Sequence, residues 1–190
     1  MSEPTHATQP EPTVPDDASA RTHDSDPEPS QGPEHDVPRF TELVADFRTC
    51  MFSTIGPDGL IHSRPMAIQE VATDGTVWFF GFADAPKLAQ LDTPAGVNLT
   101  FGNDRRFVSV SGSATVVDDL AKKRELWNPF AKAWFQTEAD DPMVALIRFD
   151  PSGGEYWDGP GRTGQAIGLV KAILGKGTPA DGDNAKLDLG

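Results

Sequence analysis

Arg64 and Lys87 are the two cations whose neighbours suit ligand binding. Arg64 stands in IHSRPMAIQE, residues 61–70, a run that begins and ends like a strand but carries His62, Arg64 and Pro65 in its middle. Proline donates no ladder hydrogen bond and is kept out of paired strand interiors. Pro65 therefore leaves neighbouring carbonyls and amides free to face a ligand. Arginine is a fixed cation suited to phosphate. Lys87 lies in DAPK, in the first turn of a predicted helix opened by Asp84, where free amides and the helix dipole favour an anion. Asp84, an acid at the same helix start, works against that preference. Beside the pair lie Trp78, Phe79 and Phe80. These residue types suit a ligand with a phosphate at one end and a flat ring at the other. They also suit a surface Arg–Lys pair over ordinary core aromatics.

Other chemistries find less support. Three of the four histidines (His6, His23, His35) fall in the N-terminal tail, leaving His62 alone in the domain, so no zinc site is expected. Cys50 and His62 lack a third orienting partner for nucleophilic catalysis, and Cys50 is expected to be a small core residue. No G-x-G-x-x-G follows a strand and no G-x-x-x-x-G-K-S/T occurs, which argues against Rossmann and P-loop nucleotide binding. Asp118-Asp119 and Asp140-Asp141 are expected to cap helices or turns, and Lys122-Lys123-Arg124 to form a solvated helix face.

The formal net charge of −13 argues against a nucleic-acid partner. Nine of the 29 acids and one of the 16 bases lie in residues 1–38, a net of −8, against −5 for the rest. That segment also holds eight of the 17 prolines and almost nothing apolar, so it is expected to be disordered and dispensable for folding up to residue 37. A domain is expected over 39–190. The tail has no signal-peptide pattern, no stretch is long and apolar enough for a membrane span, and one cysteine allows no intramolecular disulfide; a cytoplasmic location is expected.

The elements that must position these residues are short strands in hairpin order. RFTELVADFR predicts a helix starting near Thr41 with Phe40, Leu43, Val44 and Phe47 on one face. TCMFSTI and LIHSRPMAIQE form a hairpin through Gly56-Pro57-Asp58-Gly59, followed by a buried strand, TVWFFGF. DAPKLAQL is a short helix. GVNLTFG and RFVSVSGSATVVD flank a turn at Asn103-Asp104. DDLAKKRELWNPFAKAWF is helical with a break at Pro129. PMVALIRFDP and GEYWDG supply further strand, and residues 163–176 a last helix. The pattern predicts a mainly β (α+β) chain, an antiparallel barrel with peripheral helices.

TIGPDGLIHSRPM, WFFGFADAPKLAQL, RFVSVSGSATVVDD, LWNPFAKAWF, DDPMVALIRFDP and EYWDGPG resemble, in that order, the pyridoxamine 5′-phosphate oxidase-like FMN-binding split barrels, and most of all their bacterial general stress protein branch. GDNAKLDL is similar to that branch's C-terminal strand. The resemblance runs from Phe40 to Leu189. It implies a homodimer of six-stranded antiparallel split β-barrels with FMN at the subunit interface. It also implies that Arg64 and Lys87 bind the FMN phosphate, that Pro65, Met66, Ala67, Ile68 and Gln69 run along the ribityl chain and ring, and that Phe80 and Gly81 touch the flavin. Phe107 is implied to reach the flavin from the other subunit, and Trp157 to lie near it. His62 is an additional candidate. Ala85 replaces a common phosphate-binding serine, and Pro86 a second cation of the vitamin-forming oxidases. The arginine-containing C-terminal substrate signature of those oxidases is missing, so oxidation of pyridoxamine phosphate is not expected.

The expected function is that of a stress-related FMN-binding oxidoreductase, and a non-catalytic module that stores, carries or senses flavin is the alternative. A split barrel binding the deazaflavin F420 or haem is a third, with Arg105 and Arg106 as the cations and His62 as the axial ligand. No catalytic residue is nominated, because a bound flavin carries the redox chemistry itself.

Overall fold

The computed structural model describes residues 27–91, 96–159 and 183–190. The predicted helix over 163–176 and the first 26 residues lie outside them.

Seven strands form one antiparallel sheet: β1 (Thr49–Ile55), β2 (Ile61–Val71), β3 (Val77–Phe82), β4 (Val97–Gly102), β5 (Arg106–Val117), β6 (Val144–Asp158) and β7 (Asp183–Asp188). The order is β3-β2-β1-β4-β5-β6-β7, and β6 also pairs with β3, so six strands close into a barrel. The strand predicted over PMVALIRFDP and GEYWDG is a single one, β6, which runs through Pro151. Val144–Phe149 closes the barrel on β3, while Gly153–Asp158 pairs with β7. Between the halves the β5–β6 register shifts at Ser111/Gly112. A side chain at Gly112 would bring Cβ within 2.1 Å of the Asp150 carbonyl oxygen, so only glycine passes there. A bulge of this kind bends a strand and increases its twist, which lets β6 serve two partners.

Alternation along the strands fills the barrel. Phe52, Phe79, Phe101 and Phe149 are fully buried, with Phe52 edge-on to Phe79 at 5.5 Å between centroids. Cys50 is buried among them, and burial pushes its thiol up to about 12, which makes it an inert core residue. Helix α1 (Pro33–Val44) adds Phe40, Leu43 and Val44 to the same core.

Helix α1 begins six residues before the expected domain start at 39. Gly32 occupies the N-cap position and Pro33 the first turn, while the Thr41 hydroxyl donates to the Pro38 carbonyl instead of capping. The buried Asp36 accepts from Ser30 Oγ at 2.6 Å and from the Asp188 amide at 2.8 Å. Glu28 bridges to Ala185, beside β7. A mostly polar segment is thus held by backbone pairing and one buried carboxylate, neither of which shows in its hydrophobicity.

Helix α2 (Pro86–Ala89) has Ala85, not Asp84, at its N-cap, with no side-chain cap. Helices α3 (Leu120–Leu126) and α4 (Pro129–Phe135) are separated as the proline requires, with Asp119 capping one and Asn128 the other. The face Lys122-Lys123-Arg124 is not simply solvated. Lys123 is buried and donates to the Asp141 carbonyl, Lys122 pairs with Glu70 and Glu125, and Arg124 pairs with Asp140. No described helix is long and apolar enough to cross a membrane.

Candidate functional site

Strand β2 pairs with β1 from Ile61 to Ala67, but with β3 only from Ile68 onward. The edge of residues 61–67, which includes Pro65 with no amide hydrogen to donate, therefore has no β3 partner. The separation starts at a bulge: Ile68 pairs with Phe79 and Glu70 with Trp78, leaving Gln69 as the extra residue. A cavity of about 330 Å³ opens in the gap.

Its walls on β2 are Pro65, Met66, Ala67 and Gln69, and on β3 Phe80, Gly81 and Phe82. Alternation sends Met66 and Phe79 into the barrel core and Phe80 outward, where Trp127 and Phe135 meet it at 5.2 and 6.4 Å between centroids. Lys87 reaches in from α2. Its Cε lies 3.2 Å from where a Cβ at Gly81 would stand, so the glycine leaves room for the lysine stem.

The cationic end lacks counter-charge. Neither Arg64 nor Lys87 forms an ion pair with any described carboxylate. Arg64 Nη2 donates to the His62 carbonyl and to Gln90 Oε1, both at 3.3 Å, while Nη1 is buried with no hydrogen-bond partner. Burial lowers the pKa of Arg64, and burial followed by the Arg64 charge lowers that of Lys87. An anion placed here would offset the burial of both cations and the effect of the Arg64 charge on Lys87.

Gln69 is held by its neighbours. Its Nε2 donates to the Ala67 carbonyl at 3.1 Å, and its Oε1 accepts from Asn128 Nδ2 at 2.8 Å.

Seven of the sequence candidates (Pro65, Met66, Ala67, Gln69, Phe80, Gly81 and Lys87) thus line one cavity. Arg64 stands next to it, close enough for its charge to act on Lys87. Ile68 packs on the barrel core, and Pro86 occupies the start of α2. Phe107 and Trp157 are directly paired across β5 and β6, 51% and 41% exposed, and are not part of the described lining of this cavity. His62 Nε2 lies 3.2 Å from Asp58 in the β1–β2 turn and is also absent from the lining. The sequence reading missed the wall supplied by α4: Phe130, Ala131, Trp134 and Phe135. The signal was present in NPFAKAWF, where apolar residues recur four apart behind an asparagine cap.

The family described as pyridoxamine 5′-phosphate oxidase like matches residues 35–180. Protein bli-3 of Neurospora crassa is 32% identical over 101 residues, 47% of this chain and 48% of that protein, so the chain matches about half of that relative's length. The crystal structure of the general stress FMN/FAD binding protein from Xanthomonas citri is 33% identical, covers 67% of this chain and 90% of its own, and superposes with a TM-score of 0.56. The fold is also that of a candidate general stress protein 26 from Jannaschia sp. CCS1: 24% identity, 78% and 95% coverage, TM-score 0.67.

Proposed function

This chain belongs to the pyridoxamine 5′-phosphate oxidase-like family, and within it we propose an FMN-binding flavoprotein of oxidoreductase type that works as a homodimer. The observation that carries the proposal is the buried, unpartnered Nη1 of Arg64 beside Lys87, at one end of a cavity walled by strand backbone and rings. A buried donor without an acceptor is costly, and a phosphate supplies the acceptor.

Arg64 and Lys87 hold the phosphate. The unpaired β2 edge at Pro65, Met66 and Ala67 runs along the rest of the cofactor, and Gln69 presents its amide to the ring. Phe80 and Gly81 form the opposite wall. FMN, when bound, supplies hydride or electron transfer, while the protein positions and shields it. Oxidation of pyridoxamine phosphate is not part of the proposal.

The dimer face is the outer sheet surface. Pairing places Pro65, Met51, Thr100, Ser109 and Glu155 in one row, and Ser63, Ser53, Asn98 and Ser111 in the next. Exposed Met51, Phe107 and Trp157 lie on the same face by alternation. Pro65 belongs to both this face and the cavity, so a second subunit seated here brings its own Phe107 and Trp157 towards the flavin.

The decisive measurement is the visible spectrum of the purified protein, followed by mass identification of what denaturation releases. Flavin bands with the mass of FMN are expected. A colourless protein that binds no added FMN overturns the proposal, and a deazaflavin or haem spectrum replaces the cofactor. Reduction of the bound flavin by a nicotinamide, with reoxidation by an acceptor, separates an enzyme from a flavin-carrying module.

A further inference from the structure

Helix α4 presents two large rings to the cavity that the rest of the fold does not use. Phe130 and Trp134 both line it, yet remain 63% and 66% exposed. They stand one turn apart and stack nearly parallel, with centroids 6.4 Å apart and planes 17° from one another. The helix beneath them is fixed. Ala131 is buried, Phe135 meets Phe82 edge-on at 4.9 Å, and Asn128 caps the first turn while holding Gln69.

The charges around this platform are accounted for. Lys132 on the same helix is paired with Glu138. Among the described residues Lys87 is the only ionisable one in the cavity lining, and it reaches in from α2 rather than α4. Among the described residues the α4 side of the lining therefore offers flat apolar surface and no ionisable side chain. Aromatic faces favour offset-stacked partners, and two nearly parallel rings suit a planar molecule.

We propose that Phe130 and Trp134 form a stacking platform for a second ligand, a flat, uncharged aromatic molecule that enters the cavity from the α4 side. The proposal rests on the flavin reading only in assigning the cationic end to a different ligand. The two ends are separable because they use different residues.

The test uses the full chain and 2-naphthol as the probe, with decahydro-2-naphthol as its non-planar counterpart, followed by calorimetric titration. FMN binding is titrated separately by flavin fluorescence. The native protein should bind 2-naphthol at least tenfold tighter than decahydro-2-naphthol. F130A/W134A should weaken 2-naphthol at least tenfold, whereas R64A/K87A should weaken FMN and leave 2-naphthol unchanged. The single variant W134L, which keeps an apolar side chain, should give an intermediate loss. Equal 2-naphthol binding by native protein and F130A/W134A, or none by the native protein, overturns the platform. So does conversion of a native dimer to a monomer by F130A/W134A, which would assign the rings to the subunit contact. Failure of FMN to bind would overturn the flavin reading alone and leave the 2-naphthol comparison intact.

Discussion

Asn128 and Gln69, 59 residues apart, are joined by a 2.8 Å hydrogen bond that ties the start of α4 to the bulge in β2. The same asparagine side chain accepts from the Ala131 amide at 2.9 Å. One residue therefore caps the helix and fixes the orientation of the amide that faces the cavity. The two roles separate by substitution. Asn128→Ala removes both and should lower stability by about 1 kcal/mol, the usual worth of such a cap, measured by urea denaturation. Asn128→Asp keeps an oxygen for Ala131 but loses the donor to Gln69. It should retain more stability than the alanine variant while shifting the bound-flavin absorption bands. Identical spectra for the native and Asp proteins would remove Gln69 from the flavin environment.

The cationic end predicts both magnitude and pH dependence. Arg64→Ala and Lys87→Ala should each weaken FMN binding by ~1–3 kcal/mol, the range for a charged hydrogen bond. Burial and the Arg64 charge depress the Lys87 pKa in the ligand-free protein below the ordinary 10.5. Affinity is then full below that depressed value and falls as pH rises through it, so the alkaline loss should begin before ordinary lysines titrate. Lys87→Ala should flatten this limb. A limb that persists in Lys87→Ala would assign the titration to another group.

Gly81→Ala tests whether Lys87 must lie across β3. The added Cβ would sit 3.2 Å from both Lys87 Cε and Ile147 Cδ1, contacts that flexible side-chain ends relieve by moving. The expected result is weaker FMN binding with a small change in unfolding midpoint. A large stability loss with unchanged FMN affinity would mean that Ile147, not Lys87, takes up the strain.

The barrel was legible because its signals are local. Hairpin turns at Gly56-Pro57-Asp58-Gly59 and Asn103-Asp104, and the break at Pro129, each lie where their residue types indicate. The cationic end of the cavity was legible in part, since Arg64 beside Pro65 and Lys87 after Pro86 are unusual in their elements. What stayed hidden depends on distant pairing. Nothing local announces that Asn128 reaches Gln69, or that β6 runs unbroken through Pro151 because Gly112 on another strand makes room. The same holds for Lys123, which reads as a solvated helix residue until the Asp141 carbonyl is placed over it.

The N-terminal boundary gives the last prediction. Asp36 is buried, which raises the cost of its charge, but donors from Asp188, Ser30, Gln31 and Gly32 outweigh that cost and hold its carboxyl below the ordinary value of 3.8. A carboxylate stabilised in this way contributes above its unfolded pKa, and the contribution is lost as pH falls through the folded one. Asp36→Ala should therefore lose roughly 2 kcal/mol at neutral pH, by the cost of hydrogen bonds to a charged group, and the gap to the native protein should narrow below pH 3.8. Truncation follows from the same contacts. The Glu28 amide donates to the Asn184 carbonyl at 3.1 Å and its carbonyl accepts from the Lys186 amide at 2.8 Å, so residues 28–36 hold the edge of β7. Removing residues 1–26 should leave the urea midpoint unchanged, whereas removing 1–37 should lower it and expose β7. Equal midpoints for the two truncations would show that β7 stays in place without this segment.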